Sequence, residues 1–222
     1  MRDTTQHVYP NVFTWREVGV AFPAGQSRRL EVNYRNTRQI AAFARPLVEG
    51  LEVVEDDNLP DFTGCREDGP LPTVVVGPYG RQARWAMSYL EEAVGPDDTV
   101  GFLHPLGGNR FRELRNQLDA AGHPWASLTR EAEWPEGDER IALSTMHSAK
   151  GLEFDHVIVL GYDSETVQHG EAADDSLLEA HRRLLAMAIR RARRGVVLGY
   201  RPQARSPVLD LLSPATFETV EL

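Results

Sequence analysis

The sequence predicts an α/β fold: a parallel sheet buried on both faces, with helices wound over each side. Short, continuously apolar runs at 30–34, 73–77, 99–103, 140–145, 156–160 and 195–200 read as strands. They lack the alternation of a half-exposed sheet, and so match strands covered on both faces. Stretches of helical periodicity separate several of these runs, and such strand–helix alternation implies a doubly wound sheet with right-handed crossovers.

In chain order, residues 1–29 hold no convincing long element and read as a lead-in to the first strand at 30–34. A helix is expected over 37–50, opened by Asn36 or Thr37 and closed at Gly50. A loop over 56–72 precedes the strand at 73–77, and a helix over 81–93 leads to the strand at 99–103. The next helix covers 109–121, with Gly122 placed where a left-handed residue ends a helix. After a loop at 134–139 come the strands 140–145 and 156–160. The longest helix is expected over 176–194, with Leu177, Leu178, Leu184, Leu185, Ala188 and Ile189 as its apolar stripe and Gly195 behind it. The strand 195–200 follows, and the segment from Ser206 reads as a peripheral tail. The expected organisation is a lead-in of 1–29, a domain of 30–205 and a tail of 206–222.

A chain of 222 residues with 41% apolar side chains suits one α/β domain with appendages. No stretch of 18 apolar residues occurs, which excludes a membrane-spanning helix, and the first residues lack the apolar core of a signal peptide. The lone cysteine, Cys65, excludes an internal disulfide and a cysteine-based zinc site. These features together lead us to expect a cytoplasmic protein.

The net charge of −9 argues against nucleic-acid binding when taken globally. Its distribution argues otherwise, because residues 182–205 carry eight arginines and no acid. A solvated helix end is the plain alternative for that cluster. The chain has 23 arginines and one lysine, Lys150. A lone lysine among arginines marks a place suited to a compact ammonium rather than a planar guanidinium, or a chance survivor.

The densest chemistry lies in 142–161, ALSTMHSAKGLEFDHVIVLG, read as strand, polar loop, strand. Ser144, Thr145 and Ser148 offer hydroxyls, His147 an imidazole, Lys150 an ammonium and Glu153 a carboxylate. Loops leaving the C-terminal edge of parallel strands are where such sheets bind ligands, and Gly151 would let the backbone approach one closely. A polar loop with incidental charges is the bland alternative.

The pattern T-x-H-x-x-K-G-L-E-F, carried by Thr145, His147, Lys150, Gly151, Leu152, Glu153 and Phe154, resembles motif V of the UvrD/Rep-like superfamily 1 DNA helicases. Residues 30–48 resemble motif IV, with the N-Y-R core at Asn33, Tyr34 and Arg35. Residues 181–193 resemble motif VI, matching at Arg182, Arg183, Leu184, Ala188, Arg191 and Ala192. This block departs from the family pattern at Ala186, Met187 and Arg190, and Ala180 and His181 stand in place of an acidic pair. Asp3, Gln6 and Tyr9 fit a fragment of motif III, with Trp15 as its stacking tryptophan. The blocks follow the family's order and span residues 3 to about 200.

The resemblance implies the C-terminal, second RecA-like (2A) motor domain of such a helicase: a P-loop NTPase-type fold without its own P-loop. It implies an interdomain site for ATP with Mg2+, to which this side contributes Gln6, Tyr34, Arg35, Lys150, Gly151, Glu153 and Arg191. Arg191 and Arg35 would stabilise charge on the transferring phosphoryl group. Tyr9, Trp15, Thr145, His147 and Ser148 would line a single-stranded DNA track. No Walker A sequence occurs, and no apolar strand ends in Asp-Glu. The partner implied is therefore an N-terminal RecA-like motor domain carrying Walker A and B, and this chain alone is expected to be inactive. About 100 residues between motifs IV and V leave no room for the family's large accessory insertion. The chain is expected to be an expressed piece or a naturally shortened product. In the latter case it would be a non-catalytic module that binds DNA or protein.

Overall fold

The computed structural model describes residues 36–51, 65, 67–128, 134, 137–167 and 176–222. The expected strand at 30–34 and the lead-in of 1–29 lie outside them. Among the described residues seven strands form one sheet: β1 (Thr73–Val76), β2 (Val100–His104), β3 (Trp125–Ser127), β4 (Ile141–Thr145), β5 (Phe154–Val159), β6 (Ala192–Tyr200) and β7 (Glu218–Glu221). Their spatial order is β3-β4-β2-β5-β6-β1-β7, and every neighbouring pair is parallel.

Among the described residues four α-helices cover the two faces. Cores on both sides explain the continuous apolar runs: in β2 every residue is buried, and in β5 all but Asp155. One face packs against α1 (Arg38–Val48) and α4 (Ser176–Ile189), with Phe43, Leu47, Phe154, Leu185 and Leu198 in its core. The other packs against α2 (Tyr79–Ala93) and α3 (Arg112–Ala121), around Ala83, Phe102, Leu114, Leu118 and Ile158. Gly101 in β2 is a packing requirement, since a Cβ there would stand 2.7 Å from the Phe154 ring.

The helix signals are largely realised. Thr37 caps α1, its hydroxyl accepting the Ile40 N–H at 3.3 Å. The far end of α1 is held from a distance: Arg182 donates to the carbonyls of Leu47 (3.1 Å) and Glu49 (2.7 Å). Gly122 is left-handed (φ 73°) and ends α3, with His123 N–H returning to Leu118 O at 3.0 Å. The expected helix over 109–121 opens as a 3₁₀ turn, Gly108–Phe111, before α3 begins.

Three differences matter. First, α4 stops at Ile189, not at 194, and Ala192 already pairs with Phe154 in the sheet. Strand pairing overrides the helix-forming composition of 190–194. The register slips between Phe154 and His156, so that Arg193 and Arg194 stand against the single residue Asp155 in a bulge that points both arginines outward. Second, β3 is a three-residue edge strand with no run of its own. Third, the segment from Ser206 does not trail off: Val208 and Leu209 are buried, and β7 is the seventh strand. No helix among the described residues is long and apolar enough to cross a membrane.

Candidate functional site

The stretch 146–153 leaves β4 at the C-terminal edge of the sheet and enters β5 at the N-terminal edge, passing the intervening strand β2. Its ligand-competent groups are therefore divided between two edges rather than gathered at one. Buried Met146, Ala149 and Leu152 hold it against the face shared with α1 and α4.

At the C-terminal edge, Thr145 ends β4. Its hydroxyl donates to Ser148 Oγ (2.8 Å) and accepts the Ser148 N–H (3.0 Å), which fixes a tight turn. His147 is half-buried in that turn and Lys150 is exposed. Gly151 adopts φ 95°, and nothing lies within 4 Å of where its Cβ would be. This left-handed backbone favours glycine, and the space beside it is open.

Beside this turn, the loop after β2 packs on Thr145: a Cβ on Gly107 (φ 61°) would stand 2.7 Å from Thr145 Cγ2. His104, at the end of β2, organises the loop. Its Nδ1 accepts the N–H groups of Leu106 (3.0 Å) and Gly107 (3.1 Å). Burial, with Arg110 nearby, pushes the imidazole down to about 4, so the ring is neutral with its proton on Nε2. The sequence signal for this loop is its Gly107-Gly108 pair.

At the N-terminal edge, three segments distant in sequence converge. Glu153 immediately precedes β5, and Arg191 immediately precedes β6; Phe154 N–H bonds to Arg191 O at 2.9 Å. Asn36, at the start of α1, donates from Nδ2 to the carbonyls of Arg190 (3.1 Å) and Ala192 (2.6 Å). Arg191 is only 4% exposed, whereas Arg190 is half-buried. Glu153 is engaged by Arg193, whose Nε and NH2 reach its Oε2 at 3.2 and 2.7 Å and whose pKa is raised by that bond. Arg182, matched in the motif, serves the end of α1. Gln6, Tyr9, Trp15, Tyr34 and Arg35 lie outside the described residues.

The same edge carries a network absent from the sequence reading. His156 Nε2 meets Asp98 Oδ2 at 3.2 Å, and its Nδ1 meets the Tyr89 hydroxyl at 2.9 Å. Burial holds the imidazole below its ordinary value against the opposing pull of Asp98. It is therefore a neutral bridge rather than an ion-pair partner, accepting from Tyr89 and donating to Asp98. Burial alone would raise the Asp98 carboxyl, but the Gly95 N–H, His156 and Arg194 overcome this and hold it low. Burial pushes Tyr89 up to about 12, so the phenol stays protonated and is not an activated nucleophile. Gly195 makes room for both rings: a Cβ there would collide with His156 and the Tyr89 hydroxyl.

The N-terminal edge thus offers guanidinium groups together with the carboxylates of Glu153, Asp98 and Asp155, which arginines already engage. Among the described residues no group of His, Cys, Asp or Glu could hold a metal ion. This donor set suits an anionic ligand shared with a second surface, and any Mg2+ would need its ligands from elsewhere.

The family described as the UvrD-like helicase C-terminal domain matches residues 113–202, from α3 through β6. That similarity supports a helicase-related function. Among solved structures, the C-terminal domain of a possible DNA helicase from Lactobacillus plantarum WCFS1 is similar over 85% of this chain and 99% of that one, at TM-score 0.61 and 24% identity. This shows that the seven-stranded parallel α/β fold is the RecA-like fold of such C-terminal domains. The Arterivirus nonstructural protein 10 helicase in complex with DNA matches at TM-score 0.40 and 16% identity, over 68% of this chain and 35% of that one. The C-terminal part of the Fun30 ATPase domain matches at TM-score 0.38 and 10% identity, over 82% and 69%. Comparison with curated proteins yields no match.

Proposed function

We propose that this chain is the C-terminal motor domain of an ATP-dependent DNA helicase or translocase. It would contribute one wall of an interdomain ATP site and part of a single-stranded DNA track. The observation that carries this reading is the meeting of Asn36, Glu153 and Arg190–Ala192 at one sheet edge. Stretches resembling motifs IV, V and VI are more than 100 residues apart at their extremes, yet one amide joins the first to the last. A wall of arginines is what a nucleotide triphosphate requires from the domain opposite its phosphate cradle.

In this reading Arg191 and Arg35 face the phosphates, and Tyr34, Gln6, Lys150, Gly151 and Glu153 complete the wall. Bound ATP supplies the phosphoryl group whose transfer drives movement. Arg191 is 4% exposed, so its engagement requires the α4–β6 junction to open toward the incoming domain. Glu153 must likewise exchange Arg193 for its ligand. At the opposite edge Thr145, His147 and Ser148, with Tyr9 and Trp15, would touch single-stranded DNA.

The test is ATP turnover by the 222-residue chain with and without single-stranded DNA, and by a protein that joins it to a motor domain bearing Walker A and B. The chain alone is expected to be silent. The joined protein is expected to hydrolyse ATP, and Arg191→Ala to abolish that turnover while DNA binding persists. Turnover by the chain alone that is lost in Lys150→Ala would overturn the half-site reading, as would undiminished turnover of Arg191→Ala.

A further inference from the structure

Charge is segregated on this molecule. Arg38, Arg183, Arg193, Arg194, Arg201 and Arg205 each lie within 4 Å of a carboxylate. Arg81 and Arg84 on the first turns of α2, and Arg110 and Arg112 at the start of α3, are exposed and have no carboxylate partner among the described residues. The Tyr79 hydroxyl, bonded to Arg110 O at 3.0 Å, brings the two helix starts together. Glu113 is the one acid in the first turn of α3. The remaining acids of this layer, Glu91, Glu92, Asp97, Asp98 and Asp119, gather at the far ends of α2 and α3 and beyond α2. In a chain of net charge −9, this leaves a cationic face near the C-terminal edge of the sheet. It adjoins the Thr145 turn through the loop that packs on it.

We infer that Arg81, Arg84, Arg110 and Arg112 form a docking face for the phosphate backbone of duplex DNA. Guanidinium groups without internal partners are those free to displace counterions from a polyanion. The face belongs to the outer side of two helices, and the rings beside it are half-buried (Tyr79, Trp85) or buried (Phe111). Single-strand binding relies on exposed rings for base stacking, whereas a duplex keeps its bases inside and presents phosphates. The inference rests on charge and placement, not on the ATP-site reading, and stands apart from the single-strand track proposed at Thr145 and Ser148.

The experiment is fluorescence anisotropy of the 222-residue chain against a labelled blunt 20-base-pair duplex and a single strand of equal length, over a salt series. The chain is expected to bind the duplex at low salt. Changing all four residues to Gln is expected to weaken that binding roughly tenfold or more and to lower the log–log salt slope by about 3 to 4, since each phosphate contact contributes about 0.9. Changing all four to Lys keeps the charge and is expected to keep the slope. The pair Arg45→Gln and Arg140→Gln, exposed elsewhere, is expected to change neither. No duplex binding by the parent chain overturns the inference. So does an unchanged slope in the Gln variant with an unchanged far-UV spectrum, or an equal loss of single-strand affinity.

Discussion

The side-chain amide of Asn36 lies 2.6 Å from the carbonyl oxygen of Ala192 and joins the first described residue to the first residue of β6. The contact is buried and Asn36 is 3% exposed. Asn36→Ala strips this donor from one buried and one part-buried carbonyl and should cost about 1 to 3 kcal/mol. Asn36→Asp should be worse at neutral pH, where a carboxylate would face two carbonyls, and should recover in acid as it gains a proton to donate. Urea unfolding at pH 7 and pH 4.5 checks this; equal stability of parent and Ala variant would mean that water replaces the amide.

Arg182 serves the end of α1. Arg182→Met keeps the apolar stem but loses both carbonyl contacts, and should destabilise by about 1 kcal/mol. Hydrogen exchange should quicken at the amides of residues 48–51 and remain unchanged in α3. A uniform change across the molecule would contradict a local cap.

His104 makes stability depend on pH. In the unfolded chain its imidazole titrates near the ordinary value of about 6.5, while in the folded protein it is held at about 4. The unfolded chain takes up the proton first, so stability falls as the pH drops through 6.5 toward 4 and levels off below. By pH 5 the contribution should be about 2 kcal/mol. His104→Asn can still present an acceptor to Leu106 and Gly107 but does not titrate. Denaturant midpoints of this variant should depend less on pH between 7 and 5; an identical dependence would place the effect at His156 or elsewhere.

Gly101→Ala places a methyl 2.7 Å from the Phe154 ring and should cost about 1 to 3 kcal/mol through overpacking. Adding Phe154→Leu should cost less in that background than in the parent. A double-mutant cycle on thermal unfolding reads the coupling, and strict additivity would show that the cost does not arise from the ring.

The pair formed by Glu153 and Arg193 is 2.7 Å long, with the arginine 54% exposed. Arg193→Gln should alter stability by less than about 1 kcal/mol. In a protein that joins this chain to a motor domain bearing Walker A and B, the proposed ATP role of Glu153 predicts that the same change measurably shifts the affinity for a non-hydrolysable ATP analogue, because Glu153 would no longer have to exchange partners. Unchanged affinity would separate Glu153 from the nucleotide.

The sheet was legible because burial on both faces removes alternation, and runs such as 73–77 and 156–160 stand out against polar surroundings. The end of α4 was not: arginine and alanine favour helix, and only pairing across to Phe154 makes Ala192 a strand residue. β3 and β7 were missed because edge strands of three and four residues leave no periodic trace. The chemistry of 145–153 was legible as a cluster of residue types. Its division between two edges follows from the parallel crossing past β2, which is a property of topology. The bridge from Tyr89 through His156 to Asp98 joins residues up to 67 positions apart and has no local signature.

The crossing stretch 146–153 also has a mechanical meaning. Buried Met146, Ala149 and Leu152 peg it along its length, and the Thr145–Ser148 turn clamps one end. A slack loop would swallow a small displacement of Thr145. This one acts as a tie rod, so a pull applied where β4 ends either arrives at Glu153 or tilts the strands between.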